Sequence, residues 1–132
     1  MNLATCEMNV EQKHIDSFGH VNNAAYLTLY EEARWRLIAD KGFSMTDIVR
    51  TQQGPVVLEA NVKFMRELKA GDVITITTSI LSYEGKIGRM GQKMIKADGA
   101  VASEAEFVFG LFDLKARKLL EPTPEWKAAI EI

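Results

Sequence analysis

One cysteine, Cys6, is the whole thiol inventory of this 132-residue chain, which excludes both an intramolecular disulfide and a cluster of thiolate metal ligands. No apolar run is long enough to span a bilayer, and Met1 to Val10 carries no charged-then-apolar leader. Secretion and membrane insertion therefore lack a signal, and the cytoplasm is the expected compartment. There is no excess of either charge: 16 basic and 18 acidic residues leave a formal net charge of −2. Nucleic acid is not expected as a partner, and an anionic ligand would have to be met by a local patch. Repeats, low-complexity tracts and linkers are also missing, and the length suits a single domain, 1–132. Histidines number only 2, but they sit close together.

Those histidines, His14 and His20, flank Asp16 in the segment His14-Ile-Asp-Ser-Phe-Gly-His20, which runs directly into a helical pattern. Asn22 and Asn23 are good N-cap residues, and Tyr26, Tyr30, Ala33 and Leu37 recur at helical spacing. The reading is a helix from about Asn23 to Lys41, ended by Gly42. Its N-terminus would offer unpaired amides and a partial positive charge to an anion or a developing oxyanion close to a carboxylate. Residue types alone leave Asp16 either in this role or as a loop carboxylate making Asx-type hydrogen bonds. Gly19 suits a backbone geometry or close approach that a Cβ would obstruct. Tyr26 lies on the apolar stripe, where core packing is its default and its phenol can also orient the loop. Glu32 with Arg36, and Glu31 with Arg34, read as ion pairs on a solvated or interface face.

The remainder alternates like a sheet. Leu3 to Val10 reads as a first strand. Pro55 to Glu67 places Val56, Leu58, Ala60, Val62 and Phe64 on one face. Leu68 to Asp72 is a turn, Val73 to Tyr83 a strand rich in β-branched residues, and Ile87 to Ala97 a strand interrupted by Gly88 and Gly91. Asp98-Gly99 is a hairpin signal before Val101 to Leu114, and Pro122 to Ile132 reads as a short helix opening at Thr123 or Pro124. One long helix with five strands indicates an α+β fold, an antiparallel sheet with the helix on one face.

The run Asp16-x-x-Gly19-His20-Val21-Asn22-Asn23-x-x-Tyr26, followed by Glu32-Ala33-Arg34, resembles the hotdog-fold thioesterases, in particular the 4-hydroxybenzoyl-CoA thioesterase-like branch. Phe64-Met-Arg-Glu-Leu-Lys-Ala-Gly-Asp72 is similar to that family's exit from its second strand, and the likeness covers almost the whole chain. The resemblance implies a five-stranded antiparallel sheet wrapped around one long central helix, with active sites at a subunit interface of a homodimer or homotetramer. It also implies hydrolysis of an acyl-CoA or acyl-carrier-protein thioester, without a cofactor. On this likeness Asp16 is the catalytic carboxylate, as nucleophile or general base, and the Asn23 backbone N–H the oxyanion donor. His20 is the third catalytic candidate: related plant acyl-carrier-protein thioesterases use a histidine in a similar run, although their accompanying asparagine corresponds to Phe18 here. Gly19 and Tyr26 are assigned to the substrate side of the loop.

A thioester needs little more, because its leaving thiol has an intrinsic pKa of roughly 8.5 and departs with less protonation than an amine or alkoxide. Lys86 and Arg89, beside the glycine-broken strand, are the candidate contacts for CoA phosphates. His14, Asp16 and His20 lack both a fourth ligand and helical metal spacing, so no metal is expected. Two other functions remain open on these residues: a non-catalytic acyl-thioester binding or scaffold dimer, and a hotdog dehydratase with a histidine base.

Overall fold

The computed structural model describes residues 4–132. Strand β1 (Ala4–Asn9) leads through a single 3-10 turn at Gln12–His14 into helix α1 (Asn23–Ile38). Helix α2 (Met45–Thr51) precedes β2 (Gln53–Phe64), β3 (Val73–Glu84), β4 (Ile87–Lys96), β5 (Val101–Asp113), the three-residue β6 (Lys118–Leu120) and α3 (Pro124–Ala129). All strand pairs are antiparallel, in the order β1-β3-β4-β5-β2, with β6 added along the end of β5. The expected α+β architecture is present; Leu3, which the sequence reading placed in β1, lies outside the described residues.

Helix α1 packs on one face of this sheet because its apolar stripe is continuous: Tyr26, Leu29, Tyr30, Ala33 and Ile38 are all buried. They meet the inward row of the sheet, which includes Ile74, Ile76, Met90, Met94, Phe107 and Phe109. Burying side chains of this size removes on the order of 1.5–3 kcal/mol of apolar exposure each. Irregular pairing at Val57/Glu59, Ile80/Ser82 and Met94/Ile95 bends the strands, as bulges do. Gly88 allows the closest packing: a Cβ there would lie 2.6 Å from the Phe109 ring.

The structure corrects several sequence expectations. The long helix stops at Ile38 rather than Lys41, and the chain continues in a wider π-helical turn, Ala39–Phe43, in which Lys41 is already non-helical and Gly42 turns with φ +93°. Helix α2 and strand β6 were not anticipated. Helix α2 is capped reciprocally, the Ser44 Oγ accepting from the Asp47 N–H and the Asp47 carboxylate from the Ser44 N–H. In β2 the bulge at Leu58 breaks the single apolar face. Ala60, Val62 and Phe64 stand opposite Phe107, Ala105 and Ser103 on the helix side, whereas Val56 stands opposite Gly110 on the other. This strand is also an edge, and much of it is exposed. Among the described residues no helix is long and apolar enough to cross a membrane.

Candidate functional site

The segment before α1 is a miniature hairpin. The His14 carbonyl accepts from the Asn22 N–H at 2.9 Å, Ile15 bridges Val21, the His20 carbonyl accepts from the Asp16 N–H at 3.1 Å, and the Asp16 carbonyl accepts from the Gly19 N–H at 3.1 Å. Gly19 completes the reversal with φ +84°, a conformation that favours glycine. The Asp16 Oδ1 accepts from the Phe18 N–H at 2.8 Å, so the Asx turn forms while using one carboxylate oxygen. The carboxylate is half-buried, and its second oxygen has no partner among the described residues.

The hairpin delivers the chain to the helix in a fixed orientation. The Asn22 side chain caps α1 by accepting from the Ala24 N–H at 2.8 Å, which leaves the Asn23 amide among the first-turn donors with no acceptor inside the helix. Asp16 lies across the hairpin from His20, roughly 7 Å along the strand from Asn22. The Asp16 carboxylate and the first-turn amides therefore belong to the same end of α1. Two ties clamp this end to the sheet: the Val21 N–H donates to the Leu68 carbonyl at 2.8 Å, and the Tyr26 hydroxyl to the Arg66 carbonyl at 3.2 Å. Tyr26 is buried edge-on against Phe64 at 5.0 Å between centroids. Burial, with the nearby Glu67 charge, raises its phenol pKa.

The two histidines have different surroundings. Half-buried His20 has Nδ1 3.2 Å from the Val21 carbonyl, to which Nδ1 donates. Its ring stacks at 6.0 Å on Phe18, which is 82% exposed. Buried His14 accepts the Glu11 N–H at Nδ1, and its Nε2 is without a partner among the described residues. Among the described residues no group of three His, Cys, Asp or Glu side chains converges as a metal-ligand set. Lys86 and Arg89 stand at the far end of β3–β4, on the order of 35 Å of strand away from the Asp16 end. Lys86 lies in the β3–β4 turn and Arg89 pairs with Glu106 at 3.4 Å, so one chain alone does not bring them to Asp16.

A second polar arrangement was not read from the sequence. Arg34 does not form the surface pair expected with Glu31. Four residues beyond Tyr30, it points inward, its guanidinium 4.5 Å above the Phe107 ring and its Nη1 donating to the Gln92 Oε1 at 2.9 Å. Gln92, 1% exposed, is aimed by its own amide, which donates to the Thr78 hydroxyl at 2.9 Å and the Tyr30 carbonyl at 3.3 Å. The Tyr30 hydroxyl donates to Ser103 at 2.8 Å. The only sequence signal was Gln92 in phase with Met90 and Met94, a polar side chain on the inward row. Beside Arg34 a cavity of about 310 Å³ opens between the second half of α1, α3 and the sheet.

The thioesterase-like superfamily matches residues 10–130. The long-chain acyl-CoA thioesterase FadM of Escherichia coli strain K12 is 31% identical over 126 residues, 95% of each chain. Among solved structures, the probable thioesterase YbaW of Escherichia coli superposes with a TM-score of 0.81 at 30% identity, over 96% of both chains. A Staphylococcus aureus protein solved in complex with CoA gives 0.89 at 24% identity, over 98% of this chain and 82% of that one, and shares the fold. The chain belongs to the thioesterase-like superfamily and is a thioester hydrolase.

Proposed function

We propose that the protein hydrolyses acyl-CoA thioesters to a free acid and CoA at the N-terminal end of α1, with Asp16 as the reacting carboxylate. The observation that carries this reading is the hairpin that holds a carboxylate with one uncommitted oxygen and leads directly into the N-terminus of α1, where the Asn23 amide has no acceptor inside the helix. The amide would polarise the thioester carbonyl and receive the charge that develops on its oxygen. Asp16 would either attack that carbon, forming a mixed anhydride that water then opens, or take a proton from the attacking water. In both routes the CoA thiolate leaves and acquires a proton from solvent. His20, stacked on Phe18, would orient Asp16 or the water rather than react itself.

The same reading makes the site a joint product of two subunits. Strand β2 is an exposed edge bearing Val57, Leu58 and Phe64, with Met65 directly after it, all large apolar side chains at least two-fifths exposed. Pairing that edge with a second copy would cover it and remove an aggregation hazard. A homodimer or a tetramer of dimers built this way would let Lys86 and Arg89 meet the CoA phosphates from the neighbouring chain. FadM, a relative, is named for long-chain acyl-CoA, and an acyl-CoA is the substrate class proposed here.

One experiment tests the activity: a panel of short, medium, long and aromatic acyl-CoAs, with release of free thiol followed over time. Turnover of at least one member is expected. Tight binding of several without thiol release would leave a non-catalytic acyl-thioester binder. Sedimentation at micromolar concentration tests the assembly, and a compact monomer with full activity would defeat the two-subunit site.

A further inference from the structure

We propose that the cavity beside Arg34 is a binding site for an aliphatic chain ending in a carboxylate, with the Arg34 guanidinium as the anion contact. This site is separate from the Asp16 hairpin, and three observations support it. First, the cavity is lined mainly by apolar side chains from α1, α3 and the inward sheet row, Ile80, Met90 and Phe109 among them. Its volume, about 310 Å³, falls at the lower end of the range for small-molecule sites.

Second, Arg34 is a half-buried cation whose only close partners are a neutral amide and an aromatic ring among the described residues. It has five N–H donors, of which one is used, on the neutral Gln92 amide oxygen. No carboxylate stands within ion-pair distance of it among the described residues; Glu31, which also lines the cavity, attracts it only from further away. Burial lowers its pKa, and the more distant Glu31 charge offsets this only in part. Two other charged groups at the cavity, Lys41 and Glu131, pair with each other at 3.5 Å.

Third, the guanidinium is held in place before any ligand arrives. Phe107 supports its face, and Gln92 is fixed from behind by Thr78 and the Tyr30 carbonyl. A carboxylate accepting from the remaining edge would form charge-assisted, potentially bidentate hydrogen bonds, which a planar guanidinium suits and an ammonium does not. A hydroxyl terminus would accept one N–H without neutralising the charge, and a methyl terminus would do neither.

Two sources supply such a ligand: a free fatty acid, the class of acid a thioesterase releases, or the far end of an ω-carboxyacyl group. The second source rests on the proposed hydrolytic function. It also sets a length, since Arg34 is eleven positions beyond Asn23 on α1, a rise of roughly 16 Å. That span matches an extended acyl chain of medium length.

The readout is built into the cavity, because both tryptophans of the chain, Trp35 and Trp126, line it. Titration of the full-length protein with dodecanoate and with dodecanol, followed by tryptophan fluorescence and calorimetry, is expected to show the acid binding about tenfold or more tightly than the alcohol. In Arg34→Gln the two should bind within about threefold of each other, with the alcohol little changed. Arg34→Lys, with charge but no fork, should fall between, and it serves if the Gln variant does not fold. Equal binding of acid and alcohol by the wild type, a preference that survives Arg34→Gln, or no binding of either would overturn the proposal. None of these titrations requires hydrolysis, so an inactive protein that prefers dodecanoate would refute the function and retain this site. The source is then decided by comparing ω-carboxyacyl-CoA with plain acyl-CoA of equal length. A preference for the former that disappears in Arg34→Gln identifies a substrate end, whereas equal turnover with Arg34-dependent inhibition by dodecanoate identifies the free acid.

Discussion

The two ends of α1 carry opposite kinds of polar chemistry. At the N-terminus the donors are backbone amides, the carboxylate comes from a nine-residue hairpin closed between His14 and Asn22, and Asp16 and His20 are half-buried. Two turns or more along, the polar groups are the side chains of Arg34, Gln92, Thr78, Tyr30 and Ser103, set between helix and sheet. The first end is shaped by local turn geometry and left open on one side. The second end is fixed by contacts between residues distant in the chain. A reacting group benefits from an uncommitted lone pair, whereas a buried polar network is stable only when its members satisfy one another. The comparison therefore predicts that turnover and stability respond to different ends.

The largest expected effect is on turnover at the first end. Asp16→Asn keeps the size and the Asx-turn acceptor but removes the anion, so kcat should fall about 10²-fold or more while the thermal midpoint stays close to that of the wild type. His20→Ala should cost less than Asp16→Asn, because an orienting group leaves the reacting one in place. Single-turnover assays on folded variants measure both, and wild-type-like hydrolysis by Asp16→Asn would remove the carboxylate from the mechanism.

At the other end the order reverses. Gln92→Leu fills the same space but strips Arg34 of its acceptor and Thr78 of a buried partner, at a cost of about 1–3 kcal/mol. Denaturant unfolding should register that loss, while kcat per folded molecule falls far less than in Asp16→Asn. Equal stability in Gln92→Leu and wild type would show that the network contributes nothing net, an outcome known for some buried polar groups replaced by apolar ones.

Tyr30→Phe is a milder probe of the same network and adds a pH signature. Burial pushes the Tyr30 phenol up from 10.0 to about 12, partly offset by its bond to Ser103. Because the folded state holds the proton more tightly than the unfolded chain, this contribution is complete below pH 10 and is lost as pH rises from 10 towards 12. At neutral pH, Phe should cost about 1 kcal/mol through the missing hydrogen bond. Above pH 10 its unfolding midpoint should decline less steeply than that of the wild type. Parallel decline in the two proteins would assign the alkaline sensitivity to other groups.

The same contrast explains what was legible in the sequence. The loop before α1 could be read, though not its hairpin pairing, because its determinants are neighbours: a carboxylate, a glycine and an asparagine cap within a few positions. Strand β3 was legible from its β-branched residues, read as Val73 to Tyr83 and observed as Val73–Glu84. In β2 one extra residue at Leu58 reversed the phase, and no local residue type announces such a bulge. Helix α2 had a signal in the Ser44–Asp47 spacing, but seven residues are too few for a helical period to emerge. Arg34 was misread for a different reason. A glutamate three residues before an arginine is the pattern of a surface pair, and only the distant Gln92 and Phe107 show that this arginine turns inward.

The smallest predicted effect tests whether the Asp16 end is completed by a neighbouring chain. Lys86 and Arg89 are exposed, and the Arg89–Glu106 pair at 3.4 Å is of the weak surface kind, so removing both charges should leave folding unaffected. If a second subunit presents them to the phosphates of CoA, Lys86→Ala with Arg89→Ala should raise KM by about threefold to tenfold with little change in kcat. Lost attraction before the transition state has that signature. The effect should shrink as salt is added, because exposed charges beyond about 10 Å from a phosphate are screened at 0.1 M ionic strength. A substrate truncated to the pantetheine thioester, which lacks the nucleotide phosphates, should not distinguish the double variant from wild type. A KM unchanged across ionic strength would place the phosphates elsewhere, and an equal effect on the truncated substrate would mean that the two side chains act on the site without meeting the carrier.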